Sequence, residues 1–446
     1  MDERVLKLLS HLSSATDIVK ANDNVHIFSH HDADGISAAI ILARTMIRAG
    51  KGFKLTLLSA LNDETIEEIK KCGAGCVIVA DMGASYLDSL DGMNADVVVL
   101  DHHKGDGDVK RVHYANPHSF GIDGQDGGCG ASIAMLFSIK FDKENWDLVQ
   151  IAFAGIVGDK QHLKGLTGIN EYLLAEGRKR GYVTCAEGSL IPRGELMSAL
   201  YRTTEPYIRG VSGNADGVAK LLNDAGIDRT RSSSDLNDAE KRKLSSLIAA
   251  KLLAQNVTSD VMNEVSMVRY VLKDWKIDAE EFASLLNSCG RSGSGSIGIG
   301  LGLGDRKCMN DAVSKDGEVK EMIAPLARDI DSKGLEQMKN IQFFSNDASG
   351  FTGTLCEVMM RFAADQNKPT IGYNTSNGMV KVSGRCTHAI LRKGVDLSTA
   401  MREAGKQMGG GGGGHMIASG AWFPSGREKK FLETLDRIIG AQIIAK

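Results

Sequence analysis

Three short apolar runs stop abruptly at acids and imidazoles, and this recurrence restricts the possible folds more than any other feature of the chain. "HIFSHHDADG" at 26–35 runs into His30, Asp32 and Asp34; "CVIVADMG" at 76–83 ends on Asp81; "ADVVVLDHH" at 95–103 ends on Asp101, His102 and His103. Helical patterns separate the runs, over 36–49 and in "DETIEEIKKC". Near-continuous apolar strands alternating with helices predict a parallel sheet covered on both faces. Ligands of such sheets gather beyond the carboxyl ends of the strands, where all three acidic clusters lie. A fourth acid, Asp159, closes the apolar helical stretch within "AGIVGDKQH".

Charge at the end of a buried strand is costly unless something compensates it. Carboxylate oxygen and imidazole nitrogen, with no thiolate among them, suit Mn²⁺ or Mg²⁺ better than Zn²⁺. Read as strand-end residues at i and i+2, Asp32 and Asp34 point to the same side. Each then serves one of two ions, and a neighbouring carboxylate such as Asp81 bridges them. Two ions about 3.5–4 Å apart suit in-line phosphate chemistry. Taken singly, Asp81 and Asp159 read as caps or turn formers; the clustering at one sheet edge favours a site. His31 reads as a bystander, and His26, His113 and His118 as structural.

A chain of 446 residues is too long for one ordinary core. The α/β pattern predicts a parallel-sheet N-terminal domain over 1–190, a helical connecting region over 191–295 and a smaller α/β C-terminal domain over 296–446. The formal net charge of −3 offers no global attraction for nucleic acid, so a strand would need a local basic groove. No apolar run reaches membrane length and the first twenty residues read as an amphipathic helix, so a cytoplasmic location without a membrane partner is expected. The eight scattered cysteines read as reduced, mostly buried thiols. Six glycines at 409–414 precede His415, between a helix and the apolar "HMIASGAWF". That setting is no domain junction, and unshielded N–H groups there suit an anion-binding nest. "GGCGAS" at 127–132 opens a helix whose N–H groups also suit an anion; the same letters equally make a tight turn and close helix packing.

"HHDADG", "VIVADMG", "VVVLDHH" and "GIVGD" together resemble the four motifs of the DHH phosphoesterase superfamily, named for the triplet at 101–103. "ANPHSFGIDGQDGGCGAS", "TTEPYIRGVSGN", "LLNSCGRSGSGSIGIGLGLGD" and "GGGGHMIASG" are similar to its archaeal RecJ-like branch, which includes a nuclease associated with the GINS replication complex. The resemblance spans nearly the whole chain. It implies that Asp32 and Asp81 hold one ion, and that Asp34, Asp81, His102 and Asp159 hold the other. Many members place a first-ion histidine where this chain has Phe28, and His30 is the candidate substitute. Asp101 would orient an imidazole, and His103 would face the substrate phosphate or leaving oxygen. Gly411, Gly412, Gly413, Gly414 and His415 would belong to a DHHA1-type domain that grips the nucleotide end. Arg385, in "VSGRC", would pair with a phosphate through its planar fork, and Arg291 is a weaker candidate of the same type.

The implied activity is a single-strand exonuclease, dependent on two Mn²⁺ or Mg²⁺ ions, that releases mononucleotides from DNA or RNA in replication or repair. Two alternatives stand beside it. One is a phosphoesterase for short oligonucleotides, cyclic dinucleotides or a phosphoadenosine; the other is a replisome subunit bound to GINS.

Overall fold

In the computed structural model, which describes residues 2–105, 109–348 and 350–444, the apolar runs do become adjacent parallel strands. β1 (Asn24–His30), β2 (Gly52–Leu58), β3 (Cys76–Ala80), β4 (Asp96–Leu100) and β5 (Val112–Ala115) line up as β2-β1-β3-β4-β5. Every pair is parallel. Strand alternation sorts their side chains into two cores. Val25, Ile27, Ile78, Val98 and Leu100 pack into one, while Phe28, Val77, Val79, Val97 and Val99 pack into the other. Both faces are covered, as the runs require.

The larger core is helical. α1 (Glu3–Ala21), α2 (Ala33–Arg48), α3 (Gly130–Phe141) and α4 (Val149–Gly158) contribute to it. α2 is buried almost throughout its first three turns because helices surround it, which explains its run of Ala, Ile and Leu without a polar face.

The chain divides into two compact units, and they are drawn differently from the expected three parts. One unit is Met1–Glu187 with Val268–Asp316; the other is Gly188–Met267 with Gly317–Lys446. The expected connecting region, 191–295, is therefore split. Its last helix, α5 (Ala279–Arg291), joins the first unit because Phe282, Leu285, Leu286 and Cys289 pack into the core of α2. Its earlier helices instead share a core with the C-terminal part, where Tyr207, Leu222 and Leu252 cluster with Leu355, Met359 and Phe362. The region is also not wholly helical. β6 (Val183–Ala186), β7 (Arg269–Leu272) and β8 (Ile277–Asp278) form a small antiparallel sheet. These strands, of two to four residues each, are too short to leave a periodic signal.

The second unit carries a mixed sheet of order β13-β14-β12-β11-β10-β9. Its strands are β9 (Glu336–Gln337), β10 (Gln342–Ser345), β11 (Thr370–Ser376), β12 (Met379–Arg385), β13 (Gly411–Gly414) and β14 (Ala418–Pro424). α6 (Thr352–Phe362) lies against β11 and β12. Val380, Val382, Ala421 and Phe423 pack with α7 (Leu397–Gln407) and α8 (Glu428–Ile444). Among the described residues no helix is long and apolar enough to cross a membrane.

Two histidines, His26 buried and His113 half-buried, give the fold a pH dependence. His26 Nε2 lies 2.9 Å from Thr56 Oγ1, and burial, reinforced by Lys54, pushes its pKa down to about 4. Burial, with His11 stacked beside it, pushes His113 likewise to about 4. Each is neutral in the fold but titrates near its ordinary value when unfolded. Their contribution is therefore complete above about pH 6.5 and is lost as pH falls toward 4. The thermal unfolding midpoint should drop between pH 7 and pH 4.5, and His26→Gln, which keeps a partner for Thr56, should make that drop shallower. An equally steep profile in the variant would show that His26 does not carry it.

Candidate metal centre

β1 lies between β2 and β3, so strand order reverses beside it, at the place where open sheets of this kind collect ligands. His30 closes β1. Asp32 and Asp34, however, are not on a strand, which corrects the same-side expectation. Asp32 is the N-cap of α2 and accepts the Gly35 N–H at 3.0 Å. Asp34 sits in the first turn, where its carboxylate accepts the backbone N–H groups of Gly130 at 2.7 Å and Ala131 at 2.8 Å. The helix start in "GGCGAS" thus does hold an acidic group, and it is the chain's own Asp34 carboxyl. The packing is equally tight: a Cβ on Gly130 would stand 2.5 Å from the Asp81 Cβ.

Asp81 follows β3 in the left-handed region, at φ 57°, a conformation that Asp tolerates better than most residues. Its two oxygens address different neighbours. Oδ2 lies 3.6 Å from His30 Nδ1, which is also 2.9 Å from Asp32 Oδ2. Oδ1 lies 3.3 Å from His102 Nε2, and Asp34 Oδ2 is 3.8 Å from the same nitrogen. The other His102 nitrogen, Nδ1, is 2.6 Å from the Gly124 carbonyl. A carbonyl only accepts, so Nδ1 carries a proton, and Nε2 faces the carboxylates. Asp159 arrives from the end of α4, with Oδ2 3.9 Å from His102 Nδ1.

The electrostatics of this cluster call for cations. Burial, with Asp81 and Asp159 close by, holds the Asp34 carboxyl well above the usual carboxylate range. Burial, opposed by His102 but helped by Asp81, pushes Asp159 up to about 6. Burial works against the charge on Asp81 too, yet hydrogen bonds from His102 and His30 carry it well below the usual range. His30 and His102 are raised against the effect of burial, by Asp32 and Asp81 in one case and by Asp159 and Asp81 in the other. The cluster relieves its negative charge by holding protons, a task that divalent cations perform more strongly. Ligand atoms of His30, Asp32 and Asp81 lie within 4.8 Å of one another, as do those of Asp34, His102 and Asp159. Oxygen and imidazole donors in these groups suit divalent ions of the Mn²⁺ or Mg²⁺ type, and Asp81 of the first group stands 3.3 Å from His102 of the second.

Asp101 differs from the others because its oxygens are engaged inside the protein. It accepts the backbone N–H groups of Ala84 at 2.8 Å, His102 at 2.7 Å and His103 at 3.1 Å, and lies 2.7 Å from His103 Nδ1. Burial opposes its charge, but His103 and these donors hold its pKa down to about 2. It orients His103, whose side chain is 37% exposed against 2% for His102.

Phe28 is buried in the second core and stacks on His26. Arg291 lies close enough to His31 to help lower its pKa, after burial and His30. Arg385, Gly411, Gly412, Gly413, Gly414 and His415 stand in the second unit. The glycine tract is an extended edge strand, paired with β14, and not the curled nest expected. Packing explains part of it: a Cβ on Gly412 would stand 2.7 Å from the Met401 carbonyl oxygen, whereas one on Gly413 would meet nothing within 4 Å. Gly413 is thus a glycine that packing does not require.

Several supporting residues left no mark in the sequence. Asn287 of α5 accepts the Ala33 N–H at 2.9 Å and steadies the start of α2. Gln161, two places after Asp159, donates to Asp159 Oδ2 at 2.8 Å and to the Gly124 carbonyl at 2.9 Å, so one amide ties together the partners of His102. Asn170 donates to Gln161 Oε1 at 2.7 Å and fixes its orientation. Gln161→Ala should weaken Mn²⁺ binding by about 10–100-fold while leaving the fold intact, as read by titration calorimetry and circular dichroism. Unchanged affinity would mean that the amide has no hold on the ligands.

The chain matches two family models, the DHH family N-terminal domain over residues 24–157 and the DHHA1 domain over residues 341–441. It is 31% identical over 429 residues to the uncharacterized protein MJ0831 of Methanocaldococcus jannaschii, with 94% of each chain covered. Among solved structures, RecJ of Thermus thermophilus in complex with Mn²⁺ is similar with a TM-score of 0.61 and 14% identity. That match covers 97% of this chain but only 55% of the Thermus protein, so this chain spans about half its length. CDC45 of Entamoeba histolytica is similar with a TM-score of 0.66 and 13% identity, covering 98% of both chains. At these identities the structural likeness establishes the fold.

Proposed function

The chain belongs to the DHH family and carries a C-terminal DHHA1 domain, and from that premise we propose that it is a metal-dependent exonuclease acting on single-stranded DNA or RNA. The observation that carries this reading is the pair of ligand groups, His30, Asp32 and Asp81 in one and Asp34, His102 and Asp159 in the other, with Asp81 3.3 Å from His102. In it, His30, Asp32 and Asp81 would hold one divalent ion, and Asp34, His102 and Asp159, with Asp81, would hold the other. Two such ions would supply Lewis-acid stabilisation of phosphoryl oxygens and a more acidic water at neutral pH.

The chain's own residues do the rest. Asp101 keeps His103 oriented through Nδ1 and favours its protonated form, so that His103 can give a proton to the leaving oxygen. Arg385 and the free edge of Gly411, Gly412, Gly413 and Gly414, with His415, take the phosphates of the strand end. Arg291 adds a positive charge beside the first ligand group. A replication or repair role, with GINS-type replisome proteins as partners, follows the RecJ-like resemblance and belongs to this proposal.

Two other readings give different results. A small-substrate phosphoesterase would cleave a dinucleotide, a cyclic dinucleotide or a phosphoadenosine much faster than a long strand. A purely structural replisome subunit has no need of ligands kept at these distances, and the retained cluster argues against it. The test is digestion of single strands of DNA and RNA labelled at either end, each with Mn²⁺ or Mg²⁺. Stepwise release of mononucleotides is the expected result; intact strands with both metals, or a strong preference for dinucleotides, would overturn the proposal.

A further inference from the structure

Among the described residues, Trp422 is the only phenylalanine, tyrosine or tryptophan that is exposed, at 53%. It sits in the middle of β14, directly opposite Gly411 on one side and Lys381 on the other. A Cβ on Gly411 would lie 3.1–3.3 Å from three atoms of the indole ring, so the ring rests on the bare Cα of that glycine. Residues of one row share a face of a sheet, and this face is opposite to the one formed by Val382, Ala421 and Phe423 in the core. The next row holds Gly420 and Gly413, and Arg385 follows two residues further along β12 from Ser383. The surface beside the indole is therefore floored by Gly411, Gly413 and Gly420, bordered by Ser383, with Lys381 beside the ring and Arg385 further along β12.

The geometry points to Trp422 as the stacking platform for a nucleobase of the bound single strand. This deepens the proposed function and rests on its nucleic-acid substrate. A planar base covers an exposed indole, and every base offers such a face, so the contact suits a strand read without sequence preference. The glycine floor lets a sugar-phosphate backbone approach closely, and Lys381 and Arg385 match its charge. A second copy of the chain fits poorly: a stable dimer needs a contiguous apolar surface, and here one indole stands among glycines. Gly411 is then a seat for the ring, which gives a packing reason for part of the glycine run.

The full chain, with chelator present to prevent cleavage, is titrated with a single-stranded oligothymidylate and with an abasic deoxyribose-phosphate strand of equal length, binding being read by anisotropy of an end label. Trp422→Ala should weaken oligothymidylate binding by about 5- to 100-fold and leave the abasic strand within about threefold. Trp422→Phe should stay within about threefold of the parent on both. Equal loss on both strands, no loss on either, or a Trp422-dependent dimer in sedimentation would overturn the stacking role. A parent chain that binds neither strand would instead overturn the nucleic-acid reading on which it stands.

Discussion

Asp81→Asn should cut hydrolysis of a labelled single strand by at least about a thousandfold in saturating Mn²⁺, since it takes charge from both ligand groups at once. Asparagine is the informative substitution. Asp81 holds a positive φ of 57°, which asparagine also tolerates, so the backbone bond from its N–H to the Leu100 carbonyl, 2.9 Å, should persist. The amide offers one oxygen where the carboxylate offers two, and Oδ1 and Oδ2 face His102 and His30 respectively. Binding of a strand in chelator should hardly change, which separates this effect from misfolding. A variant retaining more than about a tenth of the parent rate would remove Asp81 from the centre of the scheme.

Mn²⁺ added to chelator-treated protein should raise its thermal midpoint by about 5–10 °C. A ligand at a hundred times its dissociation constant adds about 2.7 kcal/mol, and a folding unit of this size gains about 2–4 °C per kcal/mol. The physical source is the strain of the unneutralised cluster. Burial and mutual proximity hold Asp34 and Asp159 above the usual carboxylate range, while His30 and His102 are raised by the acids around them. Cations remove that conflict in the folded state alone. Asp159→Asn should lose most of the shift, because it removes a charge from the second group without disturbing the N–H bonds that anchor Asp34. A midpoint indifferent to Mn²⁺ across millimolar concentrations would mean that these ligands do not assemble around an ion.

Parts of this site were legible before any fold was known. His30, Asp81, Asp101 and His102 each follow or close an apolar run, so their position at one sheet edge is a local property of the sequence. Asp32 and Asp34 depart from the strand-end expectation because period two belongs to a strand, and both lie at the start of α2, one as its cap and one bonded to α3. The glycine tract was legible as unusual, but its extended conformation depends on pairing with β14. Gln161, Gly124 and Asn287 could not be found, since an amide or a carbonyl acquires a role only from what it touches.

The same physics separates what the sequence by itself determined from what the tertiary structure decided. Hydrophobic period and run length act over a few residues, and they were enough to specify a parallel sheet covered on both faces with strand ends rich in oxygen and nitrogen ligands, while the four motifs carried the resemblance to the DHH family. The division into units, the position of Asp81 between His30 and His102, the bond from His102 Nδ1 to the Gly124 carbonyl and the seat of Trp422 on Gly411 arise from contacts between residues remote in the chain. Those contacts exist only when packing closes, because burial and hydrogen-bond geometry are properties of the assembled core.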